Sequence, residues 1–183
     1  MAKSNYSFQD IKVLIVEDNL PMYELIKSVI MTFGFKKIYR AKDGKQGFDT
    51  FCRIKTDLII TDWEMKPVSG IEMIEMIRKN PQSPNPFVPI IMLSGYGQKS
   101  HIIQARDVGT TEFLIKPFCA QQLYKRIEHI IEKPRDFVQS EHFFGPDRRR
   151  HKHEDFEGGA KREDDVLSPP HDDIDYVYID VDA

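Results

Sequence analysis

One pattern recurs along most of this chain: a short aliphatic run, a turn, and then a segment whose apolar residues are spaced as on one face of a helix. The first run, residues 12–16, is too short for a helix and is uninterrupted, as a strand covered on both faces would be. The next segment ends at Gly34 and has helical spacing of Met22, Leu25, Ile26, Val29, Ile30 and Phe33. The first unit is therefore predicted to be a strand, a turn and a helix with these residues facing inward.

Four further units follow the first. Aliphatic runs predict strands at residues 37–41, 57–61, 90–93 and 111–115. Apolar spacing predicts helices at 44–53, from Gly70 onward and in a last segment, and residues 99–107 are predicted to form a short, poorly amphipathic helix. The inner face of the helix at 44–53 carries Phe48, Phe51 and Cys52, and that of the last helix carries Leu123, Ile127, Ile130 and Ile131. Five strands that alternate with five helices predict an α/β fold, with a doubly wound, five-stranded parallel sheet and right-handed crossovers.

Polar residues stand at the ends of four of the five runs. They are Glu17-Asp18, Asp62, Ser94 and Lys116-Pro117. Open α/β sheets place their ligands at the carboxyl ends of the strands, near the point where the strand order reverses. The sequence therefore predicts one site that is built from four separate turns.

The charges of these residues indicate the chemistry of the site. Three carboxylates that lie close together repel one another, and they stay ionised only if cations compensate them. Mg²⁺, a hard ion that prefers oxygen ligands, supplies two positive charges, and Lys116 supplies one. This arrangement suits phosphoryl transfer, with Asp62 as the nucleophile and the Ser94 hydroxyl as a hydrogen-bond donor to a phosphoryl oxygen.

Residues 10–133 resemble the receiver domain of two-component response regulators, of the chemotaxis type and with the flavodoxin-like (βα)5 fold. The resemblance rests on four motifs in order, each at the end of a predicted strand: Glu17-Asp18; Thr61-Asp62-Trp63 with Met65-Lys66-Pro67 and Gly70; Ser94-Gly95; and Phe113 to Phe118 around Lys116-Pro117. Two positions depart from the commonest pattern, since Ser94 replaces a frequent threonine and Lys66 stands where proline usually follows the methionine.

The resemblance implies a phosphoacceptor role for Asp62, which would take a phosphoryl group from a phosphohistidine on a sensor histidine kinase or a histidine phosphotransfer protein. Asp18 and Asp62 would bind Mg²⁺ directly, Glu17 would act through water, and the backbone carbonyl of Glu64 would complete the protein ligands. Lys116 would bridge to the phosphoryl oxygens. Such a protein catalyses only its own phosphorylation and dephosphorylation, so we do not expect an enzyme with turnover.

The resemblance also implies a switch that changes the surface of the domain. Pro117 is expected to follow a cis peptide bond after Lys116, Ser94 would be drawn toward the phosphoryl group, and Phe113 would turn inward behind it. The altered surface would comprise the helix at 99–107, the last strand and the last helix. A downstream protein would then bind in a phosphorylation-dependent manner.

Other interpretations of the same residues stay open. Glu17 and Asp18 by themselves could cap the first helix, where acidic residues are favoured. The protein could be a phosphorelay intermediate or phosphate sink that passes the phosphoryl group on, because the same residues serve that role. An aspartate-nucleophile phosphatase uses similar chemistry, but its second aspartate two positions after the nucleophile corresponds here to Glu64.

Composition divides the chain into unlike parts. Residues 1–133 contain 19 Lys and Arg against 15 Asp and Glu, net +4, whereas residues 134–183 contain 7 against 14, net −7. We expect a leader at 1–9, the receiver domain at 10–133 and a charged, mostly disordered tail at 134–183. Cys52 and Cys119 form no metal or disulfide motif, and both are expected to be buried fillers. The lack of a long apolar run predicts a soluble cytoplasmic protein without a membrane segment.

The tail contains one distinctive block, at residues 143–152. It combines an aromatic pair, a turn and an arginine run, and the candidate docking residues are Phe143, Phe144, Arg148, Arg149 and Arg150. A solvated linker, a protein-docking segment and a phosphate-binding segment remain alternatives, and the net charge of the tail disfavours nucleic acid. Residues 174–181 have strand propensity and could pair with a sheet edge or stay unstructured. No second folded output domain is expected after residue 133.

Overall fold

A five-stranded parallel sheet in the order β2-β1-β3-β4-β5 forms the centre of the chain in this computed structural model, which describes residues 6–95, 97–133, 137–139 and 144–146. The strands are β1 (Lys12–Val16), β2 (Lys37–Ala41), β3 (Leu58–Asp62), β4 (Ile90–Ser94) and β5 (Glu112–Ile115). The helices are α1 (Leu20–Thr32), α2 (Gly44–Ile54), α3 (Gly70–Lys79), α4 (Lys99–Asp107) and α5 (Ala120–Glu132). The predicted (βα)5, flavodoxin-like, doubly wound fold is confirmed.

The strand order follows from two crossovers in opposite directions from β1. β1 pairs in parallel with β2 on one side and β3 on the other, with Val16 opposite Ala41 and Thr61. The strand order therefore reverses between β1 and β3, and this leaves a crevice beyond their carboxyl ends. The end of β1 and the end of β3 consequently lie side by side at that crevice.

Alternate residues of each strand pack against different helices because successive side chains point to opposite faces of a sheet. Val13 and Ile15 belong to a cluster with the buried residues of α1 and α5. Leu14 and Val16 belong to a second cluster with the buried residues of α2 and α3 and with Ala105 of α4. Both faces of the sheet are thus covered, which explains the uninterrupted aliphatic runs.

Helix α4 has the weakest local anchoring of the five helices. Asn19, Asp43 and Ser69 each accept a hydrogen bond at the start of α1, α2 and α3, whereas Gln98 makes no side-chain cap to α4. Ala105 is the one fully buried residue of α4. The structure therefore agrees with the poor amphipathicity predicted for residues 99–107.

Three predicted burials are wrong. Leu25 of α1 and Ile131 of α5 are exposed, because each lies just outside the arc of its helix that faces the sheet. Cys119 is also exposed, since it precedes the first residue of α5, where its backbone N–H donates to the Gln122 side chain. Cys52 is partly buried beside the second cluster, as a filler residue would be.

Part of the predicted tail forms regular structure. The short strands β6 (Phe137–Gln139) and β7 (Phe144–Pro146) pair antiparallel as a separate two-stranded sheet, the hairpin β6–β7. Contacts group residues 1–148 into one unit and 149–183 into another, and the hairpin belongs to the first. No regular element is predicted from the sequence of residues 137–146, because three-residue strands are too short to give a periodic signal.

Candidate functional site

Four strand ends meet at the crevice beside β1 and β3. Asp62 is the last residue of β3 and Ser94 the last residue of β4, whereas Glu17 and Lys116 directly follow β1 and β5. The ladder continues to these positions, since the Glu17 N–H donates to Ala41 O and the Lys116 N–H donates to Ser94 O at 2.7 Å. The predicted strand-end residues are therefore positioned by the sheet itself.

Three carboxylates converge in the crevice. Glu17, Asp18 and Asp62 each offer an oxygen, and these atoms all lie within 4.8 Å of one another. The Glu17 side chain is buried, that of Asp62 is mostly buried, and Asp18 is exposed at the mouth. A donor set made of carboxylate oxygens fits a hard divalent ion such as Mg²⁺.

Lys116 reaches into the same group of carboxylates. Its Nζ lies 2.9 Å from Asp62 Oδ1 and 3.0 Å from Glu17 Oε2. The side chains are 17%, 13% and 2% exposed for Lys116, Asp62 and Glu17. The peptide bond between Lys116 and Pro117 is cis. One ammonium thus contacts two of the three carboxylates in a site largely shielded from water.

The pKa values of these groups are shifted by burial and by one another. Burial raises the pKa of Asp62 above its ordinary value, although Lys116 opposes the shift. Burial also raises the pKa of Glu17, where the hydrogen bond from Lys116 opposes and the charge of Asp62 adds to the shift. Burial lowers the pKa of Lys116, but its bonds to Asp62 and Glu17 outweigh this, so the net pKa is raised. Lys116 is therefore a cation, and the ionised carboxylates carry an excess of negative charge that favours a further cation.

Three side chains with aromatic rings lie beside Asp62, toward α4 and β5. Trp63 follows Asp62 and contacts His101 of α4 edge to face, with ring centroids 5.3 Å apart. Trp63 also contacts Phe113 of β5, with centroids 6.4 Å apart. Phe113 is partly buried and packs on the second cluster, and Ser94 is fully buried. Phe113 and Ser94 were predicted site residues, but His101 was not, since a single histidine on a helix carries no pattern.

The loop between β3 and α3 approaches the site closely. The Gly70 N–H donates to Trp63 O, and a Cβ at Gly70 would overlap the carbonyl oxygen of Asp62. At the other side of the loop, the Gly44 N–H donates to Val68 O at 2.8 Å. Glu64 is exposed on this loop, and the Lys66-Pro67 peptide bond is cis. Glycine at position 70 is therefore required sterically for Asp62 and α3 to lie this close.

The remaining predicted residues are not brought to this site by the described part of the chain. Phe143, Arg148, Arg149 and Arg150 lie outside the described residues, as do residues 174–181. The backbone of Phe144 lies in β7. In the parts of the chain described, helices long and apolar enough for a bilayer are absent.

The geometry favours acceptance of an electrophilic, anionic group at Asp62. A carboxylate nucleophile needs positive charge nearby to stabilise the oxygens of the incoming group. Lys116 provides one such charge, and the oxygen cluster provides ligands for another. Glu64 is exposed and two residues beyond Asp62, so the arrangement offers no second aspartate of the phosphatase type.

Comparisons with known proteins show which family the chain resembles over most of its length. The chain matches the family described as Response regulator receiver domain over residues 13–128. It is 30% identical to the chemotaxis protein CheY of Pseudomonas aeruginosa, over 67% of this chain and 97% of that protein. Chemotaxis protein CheY-3 of Vibrio cholerae is 27% identical, over 68% of this chain and 95% of that protein. The high-resolution structure of the chemotaxis response regulator CheY4 of Vibrio cholerae is similar, with a TM-score of 0.60 and 27% identity over 66% of this chain and 98% of that one.

Proposed function

The chain belongs to the response regulator receiver domain family, and we propose that it accepts a phosphoryl group on Asp62 and signals through phosphorylation-dependent protein binding. Receivers of the CheY type are signalling proteins and not enzymes in the ordinary sense, which is consistent with phosphoryl acceptance. The observation that carries the proposal is the contact of Lys116 Nζ with Asp62 Oδ1 at 2.9 Å within a cluster of carboxylates.

Mg²⁺ is the cofactor that we propose for the cluster. Receiver domains generally bind Mg²⁺ at an acidic pocket, and the chain has an acidic cluster at the corresponding place. Asp18 and Asp62 would hold the ion directly, Glu17 would act through water, and the Glu64 backbone carbonyl would complete the protein ligands. When bound, the ion neutralises charge on the carboxylates and on the phosphoryl oxygens.

The transfer step that we propose uses the chain's own residues as follows. One carboxylate oxygen of Asp62 forms a bond to phosphorus while the phosphorus–nitrogen bond of the phosphohistidine breaks. The bonding pair leaves with the imidazole, which takes up a proton from solvent. Lys116 is a cation already in contact with Asp62. After transfer it would contact a phosphoryl oxygen and stabilise the negative charge there. The Ser94 hydroxyl would donate a hydrogen bond to another of these oxygens.

We propose that the phosphoryl group is read out at the surface formed by α4, β5 and α5. Phe113 lies on β5 behind the site and contacts Trp63, which directly follows Asp62. Receivers of the CheY type interact with histidine kinases and with downstream targets. For this chain the proposed phosphodonor is a sensor histidine kinase or a histidine phosphotransfer protein, and the proposed location is the cytoplasm.

The test measures phosphoryl acceptance directly. The full chain is incubated with Mg²⁺ and a small phosphodonor, and intact mass spectrometry detects a hydroxylamine-labile phosphoryl adduct. We expect one adduct per chain in the wild type and none in Asp62→Asn. Asp57→Asn is the matched control, because Asp57 is exposed at the opposite end of the same strand and accepts from the Lys12 N–H. Equal labelling of wild type and Asp62→Asn would show that the acceptor is assigned to the wrong residue.

A second measurement separates the switch from a relay. Phosphorylated protein is mixed with a purified histidine phosphotransfer protein, and loss of the label from this chain is followed with time. Retention of the label together with capture of a non-kinase target supports the switch that we propose. Rapid back-transfer without such a target would instead assign the chain to a relay.

A further inference from the structure

A buried guanidinium joins α3 to two loops at the amino ends of the strands. Arg78 is 5% exposed and its Nε and Nη2 donate to Gly109 O at 3.1 and 2.9 Å. Its Nη1 donates to Pro86 O at 2.6 Å. Pro86 precedes β4 and Gly109 precedes β5, so one side chain ties α3 to both loops.

The hairpin β6–β7 covers this guanidinium. Cζ of Arg78 lies 5.2 Å from the centroid of the Phe137 ring, within the range of a cation–π contact. The Phe137 ring also meets Phe87 edge to face, with centroids 5.1 Å apart. Gly145 and Pro146 of β7 are buried, and β7 lies beside α3. The hairpin therefore has a defined docking surface, formed by Arg78 and Phe87, which we call the Arg78 surface.

Gly109 lies two residues beyond the last residue of α4, directly after the C-cap residue Val108. It has φ of +92°, its N–H donates to Arg106 O, and the Thr110 N–H donates to Ala105 O. Its carbonyl is the one that Arg78 holds through two N–H groups. Because α4 lacks a side-chain cap at its first turn and buries one residue fully, the contact of Arg78 with this carbonyl attaches the end of a helix that has few other buried contacts.

We propose that the hairpin β6–β7 is an intramolecular docking element that fixes the carboxyl end of α4 through Arg78. The Arg78 surface takes the chain's own strands β6 and β7 as its partner, and the Phe137 ring keeps the guanidinium desolvated and aimed at Gly109. Undocking of the hairpin lets water reach Arg78 and loosens the end of α4. The first part of the C-terminal extension is therefore a control element of this helix.

The proposal is tested by residue-resolved amide hydrogen exchange on the full chain, recorded by NMR without metal or phosphodonor. Phe137→Ala removes the ring that covers Arg78. We expect the amides of Val108, Gly109 and Thr110 to exchange about tenfold faster, the size of effect that loss of a desolvated cation–π contact gives. Amides of the central strands should keep their rates.

Two further variants make the result decisive. Phe137→Leu keeps an apolar side chain but loses the aromatic face, and we expect an intermediate acceleration at the same three amides; it also supplies the measurement if Phe137→Ala does not fold. Leu25→Ala is the control, since it removes an exposed apolar side chain of α1. It should leave the α4 end unchanged.

Two outcomes would overturn the proposal. One is unchanged exchange at Gly109 and Thr110 in both Phe137 variants. The other is equal acceleration of all amides, which would mean that the hairpin adds only general stability. Because neither metal nor phosphoryl group is present, these outcomes are independent of whether Asp62 is the phosphoacceptor.

Discussion

At the carboxyl ends of the strands one lysine contacts two of three clustered carboxylates, whereas at the amino ends backbone carbonyls hold one buried guanidinium. Glu17, Asp18 and Asp62 leave negative charge in excess after Lys116 is counted. Arg78 has no carboxylate partner in the described part of the chain, and the carbonyls of Gly109 and Pro86 accept its N–H groups. Burial lowers the pKa of Arg78 to about 9, which keeps it charged at neutral pH.

Whether a buried charge is compensated within the fold distinguishes a binding site from a purely structural contact. Fixed carbonyl dipoles satisfy a buried cation in the folded chain itself, so the Arg78 end needs no ligand. Repelling carboxylates raise the free energy of the unliganded fold, and this energy is recovered when a cation binds. Buried charge alone therefore does not indicate function; what matters is whether the fold itself compensates it.

The largest effect is expected when Arg78 is removed. Arg78→Ala leaves buried carbonyl oxygens without a donor and a cavity beneath Phe137, so we expect the free energy of unfolding to fall by about 2–4 kcal/mol. The neighbouring Lys79→Ala removes an exposed side chain paired with Glu75 and should change it by less than about 0.5 kcal/mol. Urea denaturation of both variants measures the difference. Similar small losses in both would show that the carbonyl contacts of Arg78 contribute little.

At the carboxylate end, we expect the substitution of Asp62 to raise the free energy of unfolding, by less than the loss of Arg78 lowers it. The pKa of Asp62 is raised in the folded state, chiefly by burial, so the folded protein binds this proton more tightly than the unfolded chain does. Stability is then lost as pH rises from about 4, the ordinary carboxyl pKa, through the raised value. Asp62→Asn removes this loss of stability. Without metal at neutral pH, we expect the free energy of unfolding of the variant to exceed that of wild type by on the order of 1 kcal/mol.

The pH dependence provides the check on this sign. The advantage of Asp62→Asn over wild type should shrink as pH falls through the raised pKa toward about 4, below which Asp62 is protonated in both the folded and the unfolded wild type. Added Mg²⁺ should stabilise the wild type more than the variant, since the variant lacks a ligand. Asp49→Asn, on the exposed face of α2, is the control and should show neither behaviour. A destabilised Asp62→Asn at neutral pH without metal would contradict the proposed excess of negative charge.

The carboxylate end was predictable from the sequence because the sheet repeats a simple rule. Each of Glu17, Asp62, Ser94 and Lys116 stands where an aliphatic run stops, and parallel strands bring such positions together. The period of the apolar residues likewise predicted four of the five helices, and α4 was predicted in spite of its poor amphipathicity. Leu25 and Ile131 were wrongly predicted to be buried, because helical spacing defines a face only to within about one residue.

The Arg78 end could not be predicted in the same way. Arg78 lies on a helix between Ile77 and Lys79, where a charged residue is ordinarily solvated, and its acceptors are backbone carbonyls with no side-chain signature. The hairpin partner Phe137 lies about sixty residues away in a segment with two three-residue strands. Contacts of this kind depend on how loops pack, and local periodicity contains no information about them.

The smallest expected effect tests whether α4 connects the two ends. His101 contacts Trp63 near the carboxylates, and Gly109 is held by Arg78 beneath the hairpin. If both contacts hold one helix, loss of either lets α4 fray, and loss of the second then costs less. A double-mutant cycle of His101→Ala and Phe137→Ala should therefore give a coupling of about 0.5–1 kcal/mol by urea denaturation. The control cycle of Leu25→Ala with Phe137→Ala should be additive within about 0.3–0.5 kcal/mol, and additivity in both cycles would mean that the two ends behave independently.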